Sequence, residues 1–169
     1  ITDGTQDNTA NITIKVLGAN DNPSAQNDVG VVNEGSTLTV QNSANANVDG
    51  SFDANGEHSG DVIHTTSSSH KDSDLDTNDT LRITQIKKSG GDNSSVSSGS
   101  SYNSSGTSVT GSYGTLTIGA DGSYTYVASS DISGLSDGAT VSDTFTYTLS
   151  DGTATTTACL LYTSPSPRD

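Results

Sequence analysis

The sequence has no tryptophan, no methionine, one cysteine and three prolines, and only six lysines and arginines stand against twenty aspartates and glutamates. Each scarcity excludes something. A single thiol cannot build a disulfide framework. No apolar run approaches the roughly 20 residues of a membrane-spanning helix. A net charge of −14 repels phosphate backbones and anionic bilayers, so nucleic acid and membrane insertion are both set aside. Hydrophobic residues make up only 28% of the chain, which leaves a lean core for 169 residues. No segment combines a helical apolar period with caps at its ends.

What is present is alternation. In Tyr113–Val127, Leu116 and Ile118 alternate with Thr115 and Thr117, and Tyr124 and Tyr126 alternate with Ser123 and Thr125. Period two gives one apolar and one polar face, the mark of a half-buried strand. Asp121-Gly122 lies between the two runs and tolerates the positive φ of a tight turn, so the stretch reads as a β-hairpin. Val141–Leu149 is a further strand, with Phe145, Tyr147 and Leu149 on one face. Thr80–Lys87 is another, and its alternation of Leu81 and Ile83 slips at Ile86, as a bulge requires.

The rest of the chain fits the same scheme. Residues 1–22 read as the final strand and linker of a preceding unit, with Asn11–Leu17 as the strand. Ile1-Thr-Asp-Gly-Thr5 matches Leu149-Ser-Asp-Gly-Thr153 in character 148 positions later, which suggests tandem units. The chain opens on Ile1 without a signal-peptide pattern, as an internal piece would. A new domain runs from Pro23 to Ala158. Val29–Val32, Ser36–Val40 and Gly60–Thr65 are strand-like, and 41–59 is polar with Phe52 as its one bulky anchor. Residues 89–108 are Ser, Gly and Asn of low complexity and read as a loose excursion between strands. Residues 159–169, Cys159 to Asp169, resemble letter for letter the conceptual translation of a transposase adapter from short-read DNA libraries. That resemblance sets them apart from the fold as a non-native tail. The expected architecture is all-β, an antiparallel Greek-key β-sandwich.

Tyr113-Gly-Thr-Leu-Thr-Ile, Asp121-Gly-Ser-Tyr-Thr-Tyr126 and Asp143-Thr-Phe-Thr-Tyr-Thr-Leu-Ser-Asp-Gly152 resemble the VCBS repeat, one of the cadherin-like and Ig-like repeats of large RTX-type bacterial surface adhesins. The resemblance covers most of 12–158, and its C-terminal half is the specific part. It implies an Ig-like sandwich, tandem copies, type I secretion, an extracellular or cell-surface location, and a role in adhesion and biofilm. Its implied partners are neighbouring repeats, calcium, and homotypic or surface contacts in a biofilm.

Asp72-Ser-Asp-Leu-Asp76, with Asp79 after it, carries carboxylates at alternate positions. In extended or looped backbone these converge. Calcium takes six to eight oxygens at about 2.3–2.6 Å in irregular geometry, and crowded carboxylates repel one another without a cation. The run lacks the glycine and terminal glutamate of an EF-hand. A solvated acidic turn is the plainer alternative. Asn20-Asp21-Asn22 resembles the calcium linker of cadherin repeats, although Gly18 stands in place of its leading Asp and Pro23 comes one place early. Glu34 stands where such repeats place a carboxylate near a domain boundary, and Asp151 is available from the other end. Simple turn chemistry accounts for these residues equally well. His58, His64 and His70 are spaced by six, but Gly60 and Ser67–Ser69 break any single strand between them. No nucleophile elbow, catalytic triad or phosphate loop is present. The expected function is therefore non-enzymatic: a calcium-stabilised extender domain of a secreted adhesin. A glycan-binding module and an accessory domain of a secreted hydrolase are the alternatives. The first of these has only Phe52 and Tyr102 as aromatic platforms.

Overall fold

The structure, a computed structural model, describes residues 4–6, 9–41, 60–64, 70–132, 136 and 138–165. Among them there is no helix, and nine strands form two sheets. The strands are β1 (Asp28–Val31), β2 (Thr37–Val40), β3 (Arg82–Lys88), β4 (Ser94–Ser95), β5 (Thr107–Thr110), β6 (Gly114–Ile118), β7 (Tyr124–Ala128), β8 (Thr140–Ser150) and β9 (Thr155–Pro165). One sheet has the order β1-β9-β8-β3-β4 and the other β2-β7-β6-β5.

The hairpin forms as its pattern dictates. Leu116 pairs with Tyr126 and Ile118 with Tyr124, and all four side chains are buried. Gly122 takes φ +87°, and a Cβ there would press on Ile63 and on the Asp61 carboxylate. Phe145, Tyr147 and Leu149 of β8 point into the same core. A register shift between Ile83 and Gln85 lets both Ile83 and Ile86 face inward.

The two sheets close on aromatic rings. Tyr126 of β7 stacks on Tyr162 of β9 with centroids 4.1 Å apart and planes 8° from parallel. Tyr124 meets Tyr162 edge-on at 5.8 Å, and Phe145 packs edge-on against Tyr126 and Tyr162, each at 6.2 Å. Such pairs add about 0.5–1.5 kcal/mol each beyond the area they bury. Gly30 of β1 leaves room for this cluster, because a Cβ there would meet the Tyr162 ring. The result is one core between two sheets, a sandwich-like all-β fold.

Five features differ from the sequence expectation. The first sheet is mixed, because β1 runs parallel to β9 while the other pairs are antiparallel. Residues 159–165, set apart in the sequence reading, continue β9. Ala158, Leu160, Tyr162 and Ser164 all turn inward between β8 and β1, since alternation is all that a strand with two partners needs. Residues 61–64 form a turn with Asp61, Val62 and Ile63 all buried, so no strand forms there. The 89–108 stretch is structured by hydrogen bonds of its main chain and serine hydroxyls in place of bulk. It contributes β4, and Val96 N–H donates to the Thr84 carbonyl, while Ala120 N–H donates to buried Ser100. Finally, residues 11–17 make no strand, and Ile12, Ile14, Val16 and Leu17 are exposed, with no partner strand beside them among the described residues. Phe52 and residues 42–59 lie outside the described residues.

Asp143 ties the sheets together. From β8 it accepts the Ser112 N–H (2.7 Å), the Tyr113 N–H (2.9 Å) and the Tyr126 hydroxyl (2.7 Å). Removing it leaves three buried or half-buried donors without an acceptor, each costing about 1–3 kcal/mol. Asp143→Ala is therefore expected to lower stability by about 3 kcal/mol or more. Urea denaturation checks this through a lower midpoint with an unchanged slope; a loss below about 1 kcal/mol would contradict it.

Candidate metal centre

The site is assembled at one end of the sandwich by three segments. The first is the β8–β9 turn. Asp151 Oδ1 accepts the N–H groups of Thr153 and Ala154, both at 2.6 Å, which closes an Asx turn around Gly152 at φ +106°. The second is the acidic run. Ser73 forms an isolated antiparallel bridge with Ser24, which pins the run to the chain entering the domain. Asp74 Oδ1 then accepts the Asp76 N–H at 2.7 Å, and Asp79 N–H donates to the Asp76 carbonyl at 3.1 Å. The backbone is therefore turned at Asp74–Asp76, with Leu75 directed to solvent. The third is the linker. Asn20 Nδ2 donates to Asp151 Oδ2 at 3.0 Å, and Asp21 N–H donates to Asp76 Oδ2 at 2.8 Å.

One carboxylate oxygen from each of Asp74, Asp76 and Asp79 lies within 4.8 Å of the other two. That spacing suits a shared cation, since two oxygens at about 2.4 Å from one ion can be at most about 4.8 Å apart. Asp74 Oδ2 is buried and makes no hydrogen bond. No lysine or arginine pairs with Asp74, Asp76, Asp79 or Asp151 among the described residues. The acid strengths reflect the difference in local partners. The Asn20 amide, followed by the Ala154 and Thr153 N–H groups, holds Asp151 below the usual carboxylate range. Desolvation, followed by the charges of Asp76, Asp151 and Asp74, pushes Asp79 up. The donor set is all oxygen and anionic, which fits a hard divalent cation of the calcium kind.

Of the residues nominated from sequence, the fold thus brings together Asn20, Asp21, Asp74, Asp76, Asp79 and Asp151. It leaves three elsewhere. Glu34 follows β1, whose last residue pairs with Thr163, so it lies near the far end of β9, eight residues or about 26 Å from Thr155. There it accepts the Ile132 N–H at 2.8 Å. Asn22 is exposed, just before buried Pro23. Asp72 turns away from its neighbours into the core.

Asp72 belongs to a second group of carboxylates, whose other members, Asp28 and Asp61, sequence reading did not nominate. Asp28, Asp61 and Asp72 are all buried, Asp28 and Asp72 at the Tyr147 hydroxyl and Asp61 close enough to Asp72 for its charge to be felt. That hydroxyl is 2.8 Å from the Gln26 carbonyl, 3.0 Å from Asp28 Oδ2 and 3.1 Å from Asp72 Oδ2. Asp61 Oδ1 accepts the N–H groups of Ile63 and His64 at 2.8 and 2.7 Å, with His64 Nδ1 at 3.3 Å. His70 Nδ1 lies 2.6 Å from the Asn27 carbonyl, apart from His64, and His58 is outside the described residues. One phenolic proton cannot serve every acceptor around it. A proton on Asp72 supplies a second donor, and burial, aided by the charge of Asp61, raises this carboxyl to about 7. The signal in the sequence was parity: Asp28 shares the inward face of β1 with Gly30 and Val32.

No family model and no curated protein matches the chain.

The raised Asp72 sets the sign of a pH effect. Its folded value of about 7 lies above the ordinary 3.8, so the stability it contributes is whole below about pH 3.8 and is lost as pH rises through about 7. Asp72→Asn keeps the shape and removes the titration. Urea denaturation across this range should show wild type losing stability relative to Asp72→Asn as pH rises. Parallel pH curves for the two proteins would contradict the assignment.

Proposed function

We propose that this chain is a structural repeat of a secreted bacterial cell-surface adhesin, stiffened by calcium at the end where the linker enters. The observation that carries the reading is the meeting of Asn20 and Asp21 with Asp151 and Asp76, beside the three mutually close carboxylates. A cation held by Asp74, Asp76 and Asp79 would offset their mutual repulsion. Through Asp76, which also accepts the Asp21 N–H, it would fix the angle at which the linker leaves the domain. That is the mechanical requirement of a rod built from repeats. The resemblance of the hairpin and of β8 to VCBS repeats points the same way. So does β1 pairing parallel to the last strand, which agrees with an Ig-like or cadherin-like Greek-key sandwich.

In this reading the domain is no enzyme. It spaces a binding module from the cell, its partners are neighbouring repeats and the surfaces of a biofilm, and it works outside the cell. Extracellular calcium modules bind at about 10⁻⁴–10⁻³ M, so folding gains its full stability only after export.

An ion that binds only the folded state at a hundred times its Kd stabilises it by about 2.7 kcal/mol. For a domain of this size that is a rise in Tm of about 5–10 °C. Thermal melts with calcium and with chelator check this, and Asp76→Asn should remove the difference. Equal melting temperatures with calcium and with chelator would overturn the reading.

A further inference from the structure

Residues 9–17 carry four apolar residues, Ile12, Ile14, Val16 and Leu17, between 75% and 87% exposed, and no strand partner among the described residues. A segment of alternating apolar residues whose main chain has no ladder partner among the described residues is an invitation to another sheet. The fold shows which place in a sheet this segment matches. The sequence Asp3-Gly4-Thr5 is repeated as Asp151-Gly152-Thr153, 148 positions later. Carried forward without a gap, the same offset sets Ala10 on Ala158, Ile12 on Leu160, Ile14 on Tyr162 and Val16 on Ser164. Those four are the inward-facing residues of β9, buried between β8 and β1. The unpaired segment therefore repeats the parity and the turn sequence of the strand that completes the larger sheet.

The resident strand is an imperfect occupant. Ser164 Oγ is buried without a hydrogen-bond partner, and the buried Tyr162 hydroxyl has only the Tyr124 hydroxyl beside it. Ile14 and Val16 would bring no polar atom to either place. Against this, an isoleucine gives up the ring stack of Tyr162 on Tyr126, and a covalently attached strand has the advantage of effective concentration. The exchange is thus one between comparable strands, favoured when chains are crowded or refold together.

We propose that residues 9–17 act as a donor strand, taking the β9 place between β8 and β1 in a second copy of this chain. Insertion into the chain's own sheet is ruled out by reach. In the matched register Leu17 would lie beside Pro165, ten residues or about 33 Å beyond Thr155 at the start of β9. Yet Asn20 is bonded to Asp151, just before that start, and three residues span at most about 11 Å. The occupied interface is the established β8–β9–β1 pairing, so the partner surface is already defined. Only the origin of the strand changes. The proposal is independent of the calcium reading.

The register makes a specific test. Thr146 and Cys159 are directly opposed on β8 and β9, with Oγ1 and Sγ 3.8 Å apart. The offset places Asn11 at position 159. The full chain carrying Asn11→Cys, Thr146→Cys and Cys159→Ser is unfolded, refolded at high protein concentration and mildly oxidised. The expected result is disulfide-linked dimers and longer ladders on a non-reducing gel, lost when Ile14→Asp and Val16→Asp are added. These two changes lie in the exposed segment outside the core, so the melting temperature of the monomer should stay the same, which separates lost exchange from lost folding. Monomer alone after refolding would overturn the proposal, as would cross-linking that persists in the Asp variant.

Discussion

Negative charge gathered at one end of the sandwich is the constraint on which the arrangement turns. Asp74, Asp76, Asp79 and Asp151 meet there because the acidic run lies against the β8–β9 turn, with the linker bonded to both through Asn20 and Asp21. Two unit charges 4 Å apart cost about 1 kcal/mol in bulk water and about 4 near a protein surface. The protein answers this in two ways. Asp151 is satisfied by two main-chain N–H groups and the Asn20 amide, so it holds its charge easily. Asp74, Asp76 and Asp79 have less: Asp74 keeps a buried oxygen with no partner, and Asp79 is pushed up by its neighbours. The first arrangement shapes a turn. The second leaves demand for positive charge that the described lysines and arginines do not meet.

The core shows the same economy. With no tryptophan or methionine, bulk comes from tyrosine, and tyrosine carries a hydroxyl into the interior. Tyr126 gives its proton to Asp143, and Tyr147 sits among Asp28, Asp72 and the Gln26 carbonyl. Buried aspartates are thus the consequence of a tyrosine core, since an unpaired hydroxyl in an apolar setting is expensive. The hydroxyls of Tyr124 and Tyr162 have no carboxylate to bond and meet only each other.

Local pattern carried much of this into view. The hairpin, the inward face of β8 and the bulge in β3 follow from alternation and one Asp-Gly turn, both short-range signals. The acidic run was visible as a candidate site, but its register was not. Alternation from Asp72 to Asp76 puts all three carboxylates on one side only if the backbone stays extended. The Asx turn at Asp74 and the Ser24–Ser73 bridge break that condition and send Asp72 inward. Asn20-Asp21-Asn22 was nominated as a linker motif and Asp151 as a contributor from the other end, but the pairing of Asn20 with Asp151 and of Asp21 with Asp76 is a tertiary fact that no spacing encodes. Glu34 was drawn in by resemblance, whereas the strand directions carry it to the other end of β9. Residues 89–108 looked loose because order was sought in apolar bulk, and there it comes from hydrogen bonds, the Val96 N–H to the Thr84 carbonyl and the Ala120 N–H to the Ser100 hydroxyl. Residues 159–165 look foreign to the fold by origin, yet Leu160 and Tyr162 keep the parity that a central strand demands.

The account stands or falls on whether a cation occupies the acidic end. A crystal structure grown with calcium, with the ion located by its anomalous scattering, measures this directly. The predicted result is one peak about 2.3–2.6 Å from an oxygen of each of Asp74, Asp76 and Asp79, with Asp21 still bonded to Asp76. A map with no peak there at millimolar calcium, or with its only peak among Asp28, Asp61 and Asp72, would contradict it.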